Sequence, residues 1–199
     1  MAEAEAATPL ADLSVDLPVL HSEVVFDGRI WDVRREAVEY DGEQLVRDFV
    51  AHPGAVGVLA VDDDDRIVLI RQYRHPIRSR NWEIPAGLRD LAGEDPLDTA
   101  KRELAEEVDL VAADWSLLVD FHTTPGGSDE TIRIYLARGL AEAPQAFARE
   151  GEEADMEVRR VPLDECVDAV LEGRLRNGPL AVAVLAAAAA RGRRTGATG

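Results

Sequence analysis

Apolar positions along the chain recur in short runs with the period of a strand and in a few longer stretches with the period of a helix. The clearest helical stretch opens at Asp95-Pro96. Leu97, Ala100, Leu104 and Val108 fall on one face, which reads as core. Asp95 is placed to cap free backbone N–H groups, Pro96 suits the first helical position, and Asp98 adds a favourable charge to the first turn. Upstream, residues 20–51 are rich in Val, Ile, Phe, Trp and Tyr, broken by the turn signals Asp27-Gly28 and Asp41-Gly42, and predict a three-stranded meander. A sheet that small must lie against the main domain or a second subunit. Runs 55–61 and 66–73 flank Asp62-Asp63-Asp64-Asp65 and predict a hairpin with a solvated acidic turn. Residues 81–85 predict a short strand, and 115–123 and 131–137 predict strands around the loop 124–130. A polar loop over 141–155 precedes a strand at 156–161 and helices near 163–172 and 180–190. Strands outnumber helices, and their order predicts an α+β fold, a mixed sheet flanked by helices rather than a doubly wound one.

The organisation that follows is a disordered tail over residues 1–17, a small N-terminal antiparallel sheet over 18–51, a main domain over 52–190 and a frayed tail over 191–199. A net charge of −17 argues against a sequence-independent hold on nucleic acid, so an anionic substrate needs local arginines or metal. The lone Cys166 excludes an intramolecular disulfide framework and fits a reducing compartment. With no long apolar run and with acids at the N-terminus, the expectation is a cytoplasmic protein that makes no use of a membrane.

Charge changes the picture most on the face of the helix opposite the core. Glu103 and Glu107 lie one turn apart, and Glu106 stands three residues from Glu103. Like charges at such spacing cost an isolated helix roughly 0.2–0.5 kcal/mol per pair, and acids in the last turn oppose the helix dipole. A divalent cation reverses both effects, and magnesium suits carboxylates combined with water and phosphate oxygens. In so acidic a chain the alternative is a plain solvated face. Arg71, Arg74, His75, Arg78 and Arg80 form a contrasting basic segment, read either as surface charge or as a clamp for phosphate.

The loop and helix together resemble the Nudix hydrolase box, G-x5-E-x7-R-E-U-x-E-E-x-G-U with U aliphatic. Gly87, Glu94, Arg102, Glu103, Leu104, Glu106, Glu107 and Leu110 match it. Two departures stand out: six residues separate Gly87 from Glu94, and Asp109 takes the place of the second glycine. The resemblance implies an α/β/α sandwich that hydrolyses a nucleoside diphosphate linked to another group. It implies metal held by Glu103 and Glu107, with Glu106 assisting and the Ala86 carbonyl as a further ligand. Gly87, Glu94 and Arg102 would support the box, the last two by pairing.

Gln72-Tyr73-Arg74, the loop from Pro125 to Glu130, Pro125 sixteen residues past Asp109, and Glu152 to Met156 are similar to the ADP-ribose pyrophosphatase branch. That resemblance implies cleavage of ADP-ribose to AMP and ribose 5-phosphate with Mg2+, for which Mn2+ can substitute. Hydrolysis of GDP-mannose or ADP-glucose, or a non-catalytic ADP-ribose sensor, are the alternatives. It further implies an intertwined homodimer, Glu153 as the catalytic base, and substrate contacts from Arg47, Arg74, Pro125, Gly126 and Glu130. Trp31 is a candidate for the base contact, against simple sheet packing.

Overall fold

A computed structural model describes residues 9–145, 147 and 156–196. The chain divides into two compact units, Met1–Phe49 and Val50–Gly199. The first holds the strands β1 (Val19–Phe26), β2 (Asp32–Tyr40) and most of β3 (Glu43–Ala51), hydrogen-bonded in that order, with β1 antiparallel to β2. Asp41 and Gly42 both take positive φ, as a tight turn between two strands demands. Every residue of β1 is exposed, including Val19, Leu20, Val24 and Phe26, and Trp31 and Tyr40 are exposed as well.

The second unit is built on two sheets. One has the order β7 (Ala86–Leu88), β4 (Ala55–Ala60), β9 (Thr131–Glu142), β8 (Leu110–His122); the other has β10 (Glu157–Pro162), β5 (Arg66–Arg74), β6 (Ser79–Glu83). Strand β4 runs parallel to β9 and antiparallel to β7, so the first sheet is mixed. The helices are α1 (Pro96–Val108), α2 (Leu163–Leu171) and α3 (Gly178–Gly196). The architecture is α+β, and α3 continues past the expected end near residue 190.

Residue parity explains the layering. Leu59, Val61, Ile67 and Leu69 join a core with Leu163, Cys166, Leu180 and Val184 from α2 and α3. Val56, Val58, Ala60, Val68 and Ile70 join the other core, with Ala100, Leu104 and Val108 from α1. Alternate side chains of a strand point to opposite faces, so β4 and β5 are covered on both. That is why β4 is buried at all six positions.

This arrangement corrects the expected hairpin. β4 and β5 go to different sheets, and their link among the described residues is the isolated bridge Val61↔Ile67. The physical reason lies in the same parity: both strands are apolar on two faces, and each becomes the inner strand of its own sheet. The acidic turn is also not uniformly solvated. Asp63, Asp64 and Asp65 are exposed, but Asp62 is buried. Its carboxylate accepts hydrogen bonds from the Asp64 N–H (3.0 Å), the Arg66 N–H (2.9 Å), Arg66 Nε (3.0 Å) and Arg160 Nη1 (3.3 Å). The cluster thus ties the start of β5 to β10.

Burial acts to raise the Asp62 pKa, but the bonds from Arg66, Arg160 and the Asp64 N–H outweigh it and hold the carboxyl below its ordinary value. Asp62→Ala should cost about 1–2 kcal/mol, a fall in Tm of roughly 2–8 °C in differential scanning calorimetry. A depressed carboxyl stabilises fully above its unfolded pKa, about 3.9, and the contribution is lost as pH falls through the lower folded value. The gap between wild type and variant should therefore be constant at neutral pH and close under acid.

Candidate active site

The site begins where β6 leaves its sheet. Ile84-Pro85 carries the chain into β7, where Ala86, Gly87 and Leu88 pair with Gly57, Val56 and Ala55 of β4. The Val58 N–H reaches back to the Pro85 carbonyl (2.8 Å). The connecting loop absorbs its extra residue near Gly93, whose φ of +83° lets the Glu94 N–H return to the Leu91 carbonyl (3.1 Å). Then α1 starts: the Asp95 carboxylate caps the Leu97 N–H at 2.8 Å, and Pro96 occupies the first turn.

Along α1 the carboxylates meet β7 and one guanidinium. Arg102 donates to Glu94 through Nε (3.3 Å) and Nη2 (3.2 Å), and through Nη1 to Glu103 (2.6 Å) and Glu106 (3.1 Å). Thr99 Oγ1 adds a bond to Glu94 at 2.9 Å. Glu107, 5% exposed, accepts the Ala86 N–H at 2.8 Å. Glu103 lies over Gly87 so closely that a Cβ there would collide with its carboxylate. Only glycine at 87 leaves room for that acid against the β7 backbone.

The charge states follow from these contacts. Burial pushes the Glu103 carboxyl above its ordinary value; Arg102 opposes this and the charge of Glu106 adds to it. Hydrogen bonds from Arg102 and Thr99 hold Glu94 below the usual range, and the bond to Glu94 raises Arg102 above its own. Four carboxylates against one guanidinium leave a local excess of negative charge.

The donor set fits a hard divalent cation: carboxylate oxygens on one helix face, next to a backbone segment whose Cβ-free cradle holds Glu103. Among the described residues no three His, Cys, Asp or Glu side chains already converge as a ligand set. Arg102 spans Glu103 and Glu106, while the Ala86 N–H engages Glu107. A cation would therefore take up oxygens now shared with these donors.

The other expected residues that the structure describes fall into three groups. Arg47 and Trp31 belong to the first unit and are exposed; Arg47 donates to the Val46 carbonyl at 2.8 Å. Arg74 forms a two-pronged pair with the buried Glu83 (3.0 and 2.7 Å). Pro125, Gly126 and Glu130 lie in a loop pinned to the end of β3: the Val50 N–H donates to the Gly127 carbonyl (2.9 Å), Ser128 Oγ to the Val50 carbonyl (3.1 Å), and the His52 N–H to Asp129 (2.7 Å). Glu130 accepts from Thr123 Oγ1 at 2.5 Å and lies 3.5 Å from His52 Nε2. His52 Nδ1 in turn accepts the Gly54 N–H (3.0 Å), and the Gly54 carbonyl accepts the Arg89 N–H (3.1 Å), which leads to the end of β7. Glu153 lies outside the described residues. Glu83 and His52 were not among the expected site residues. For Glu83 the available signal was an acid within the expected short strand 81–85, which in the structure is β6 and ends at Glu83.

A model of the NUDIX domain matches residues 51–181. The chain belongs to the Nudix family. It is 45% identical over 172 residues to the ADP-ribose pyrophosphatase of Mycobacterium tuberculosis, covering 86% of this chain and 83% of that protein. It is 36% identical over 166 residues to the methanol dehydrogenase activator of Bacillus methanolicus, covering 83% and 89%. A solved structure of an ADP compounds hydrolase shares the fold with a TM-score of 0.72 at 23% identity, covering 89% of this chain and 95% of that one. Nudix hydrolases work with divalent cations, in keeping with the oxygen-rich face of α1.

Of the two departures from the Nudix box, neither displaces an acid. Gly93 accommodates the longer loop, and Asp109 takes the left-handed conformation, φ 55° and ψ 37°, that the second glycine would take. Gly87→Ala should be the most informative single change in the box. The added methyl must expel the Glu103 carboxylate from its cradle, so steady-state turnover should fall by about tenfold or more, since a small misplacement of a reacting group is costly. Thermal denaturation should change little, because Gly87 needs no positive φ.

Proposed function

We propose that this Nudix hydrolase cleaves the diphosphate of ADP-ribose, giving AMP and ribose 5-phosphate, with magnesium as the working cation. The observation that carries this reading is the assembled box, Gly87 under Glu103 and Arg102 across Glu94, Glu103 and Glu106. It occurs in a chain 45% identical to an ADP-ribose pyrophosphatase over most of both lengths. Glu103 and Glu107, with Glu106 and the Ala86 carbonyl, would hold the cation. When bound, such an ion neutralises charge on the diphosphate and polarises it toward attack by water.

The chain's own groups do the rest. Arg102 keeps the acidic face in register, and its pairing with Glu94 fixes the loop against α1. Arg74, paired with Glu83 through Nε and Nη2, keeps its side chain 45% exposed, and an arginine so placed suits a phosphate or ribose oxygen. Glu153 is the proposed base. It takes one proton from the attacking water as oxygen bonds to phosphorus and the anhydride P–O bond breaks, the second phosphate leaving with that electron pair. The helix acids are poor bases once committed to a cation, so a separate carboxylate is required. The exposed apolar residues of β1 support a homodimer through the N-terminal sheet, and the free Cys166 supports a reducing, cytoplasmic setting.

Incubation with magnesium and a panel of ADP-ribose, ADP-glucose, GDP-mannose and NADH tests the substrate. AMP should appear fastest from ADP-ribose; faster turnover of GDP-mannose, or binding with no turnover at all, would replace the reading. Glu103→Gln and Glu107→Gln should each abolish turnover across a magnesium titration with the fold retained. Glu153→Gln should lower kcat by roughly 10²–10⁴-fold with cation binding kept. In sedimentation velocity the protein should run as a dimer, and a fully active monomer would remove the proposed assembly.

A further inference from the structure

The segment His52-Pro53-Gly54 leads into β4, and the sheet puts it between two parts of the site. Ala55 pairs with Leu88 of β7 on one side and with Ile132 of β9 on the other. The residues just before Ala55 therefore have the end of β7 as one neighbour and the loop entering β9, residues 124–130, as the other. Strand β7 carries Gly87, over which Glu103 lies.

His52 uses both ring nitrogens across this junction. Its Nδ1 accepts the Gly54 N–H at 3.0 Å, so Nδ1 carries no proton and the ring N–H is at Nε2. Nε2 lies 3.5 Å from Glu130 Oε1, and the His52 side chain is 9% exposed. The other oxygen of Glu130 accepts Thr123 Oγ1 at 2.5 Å. The carboxylate is thus engaged at both oxygens by the protein, yet its side chain stays 23% exposed, and each oxygen keeps a lone pair for a further donor. Gly54 passes the connection on: with φ at +84°, a conformation that favours glycine, its carbonyl accepts the Arg89 N–H at 3.1 Å, directly after β7. We propose that His52 is a positioning residue that orients the Glu130 carboxylate toward substrate and keeps it in register with the strand bearing Gly87. Nε2–H is the donor that sets Glu130, and Nδ1 fixes the backbone from which that donor is presented. The kinetic part of this inference rests on the ADP-ribose reading, with Glu130 as a substrate contact; the arrangement around the imidazole does not. A contact that binds ground and transition states alike shows in KM rather than in kcat.

Two amide side chains divide the imidazole between them. Asparagine places an oxygen where Nδ1 stands and keeps the bond to the Gly54 N–H, but it does not reach Glu130; glutamine places an N–H where Nε2 stands and keeps the Glu130 contact, but it loses the acceptor for Gly54. In the full chain, His52→Asn should raise KM for ADP-ribose by about three- to tenfold, the scale of one modest hydrogen bond, with kcat unchanged and amide hydrogen exchange at Gly54 as in the wild type. His52→Gln should return KM to near the wild-type value while exchange at Gly54 becomes faster. Because His52 acts through Glu130, adding His52→Asn to Glu130→Ala should raise KM no further than Glu130→Ala alone. Wild-type KM in His52→Asn, or a double variant in which the two losses add, would overturn the role. Equal losses of Tm and KM in both His52 variants would make the residue a packing element alone. Nitrogen NMR of the wild type at neutral pH should show the His52 proton on Nε2 and none on Nδ1, and the reverse would overturn the arrangement without any kinetics. If the wild type fails to cleave ADP-ribose, the functional reading falls, while the nitrogen spectrum and the Gly54 exchange still decide the arrangement.

Discussion

One guanidinium stands between the acidic helix and its own repulsion. Arg102 contacts Glu94, Glu103 and Glu106 at once, so three acids that would push α1 away from the preceding loop instead draw the two together. The fork geometry of arginine matters here, because a lysine offers a point charge rather than donors set at fixed angles. The fourth acid, Glu107, is dealt with differently, by a backbone amide of β7. The result is a folded unit that stays locally negative, with its acids held at the surface of a sheet. Such a place suits a hard divalent cation.

Much of α1 was legible in the sequence because everything that defines it is local. The cap at Asp95, Pro96 in the first turn, the apolar face through Leu104 and the left-handed Asp109 all lie within a few turns of one another. The Nudix box was legible for the same reason. The errors and omissions came where the deciding partner is distant. Residues 55–61 and 66–73 read as a hairpin because they are adjacent β-prone runs, yet the two-sided apolar pattern sends each to its own sheet. Glu83 takes its place from Arg74 on the neighbouring strand, and His52 lies against Glu130, far along the chain. No spacing rule announces those pairs.

The run Asp62 to Asp65 shows how little residue type settles alone. Three of its four acids meet solvent, while the first turns inward to collect four hydrogen bonds from Asp64, Arg66 and Arg160. Position in the turn made the difference: Asp62 sits where the strand ends and its side chain can reach the amides of the bend, in the manner of an Asx turn.

The parallel register of β4 with β9 carries a consequence for how the chain comes into being. Ala55 pairs with Ile132 and Ala60 with Ala137, so the strand at the centre of the first sheet has no parallel neighbour until much of the polypeptide has been synthesised. Through that interval an uninterrupted apolar stretch from Ala55 to Val61 is free to find other strands, which is the usual route to aggregation. Four aspartates follow it directly. Charges set beside an unavoidable apolar strand discourage edge-to-edge association, and the acidic turn stands where such charges count most.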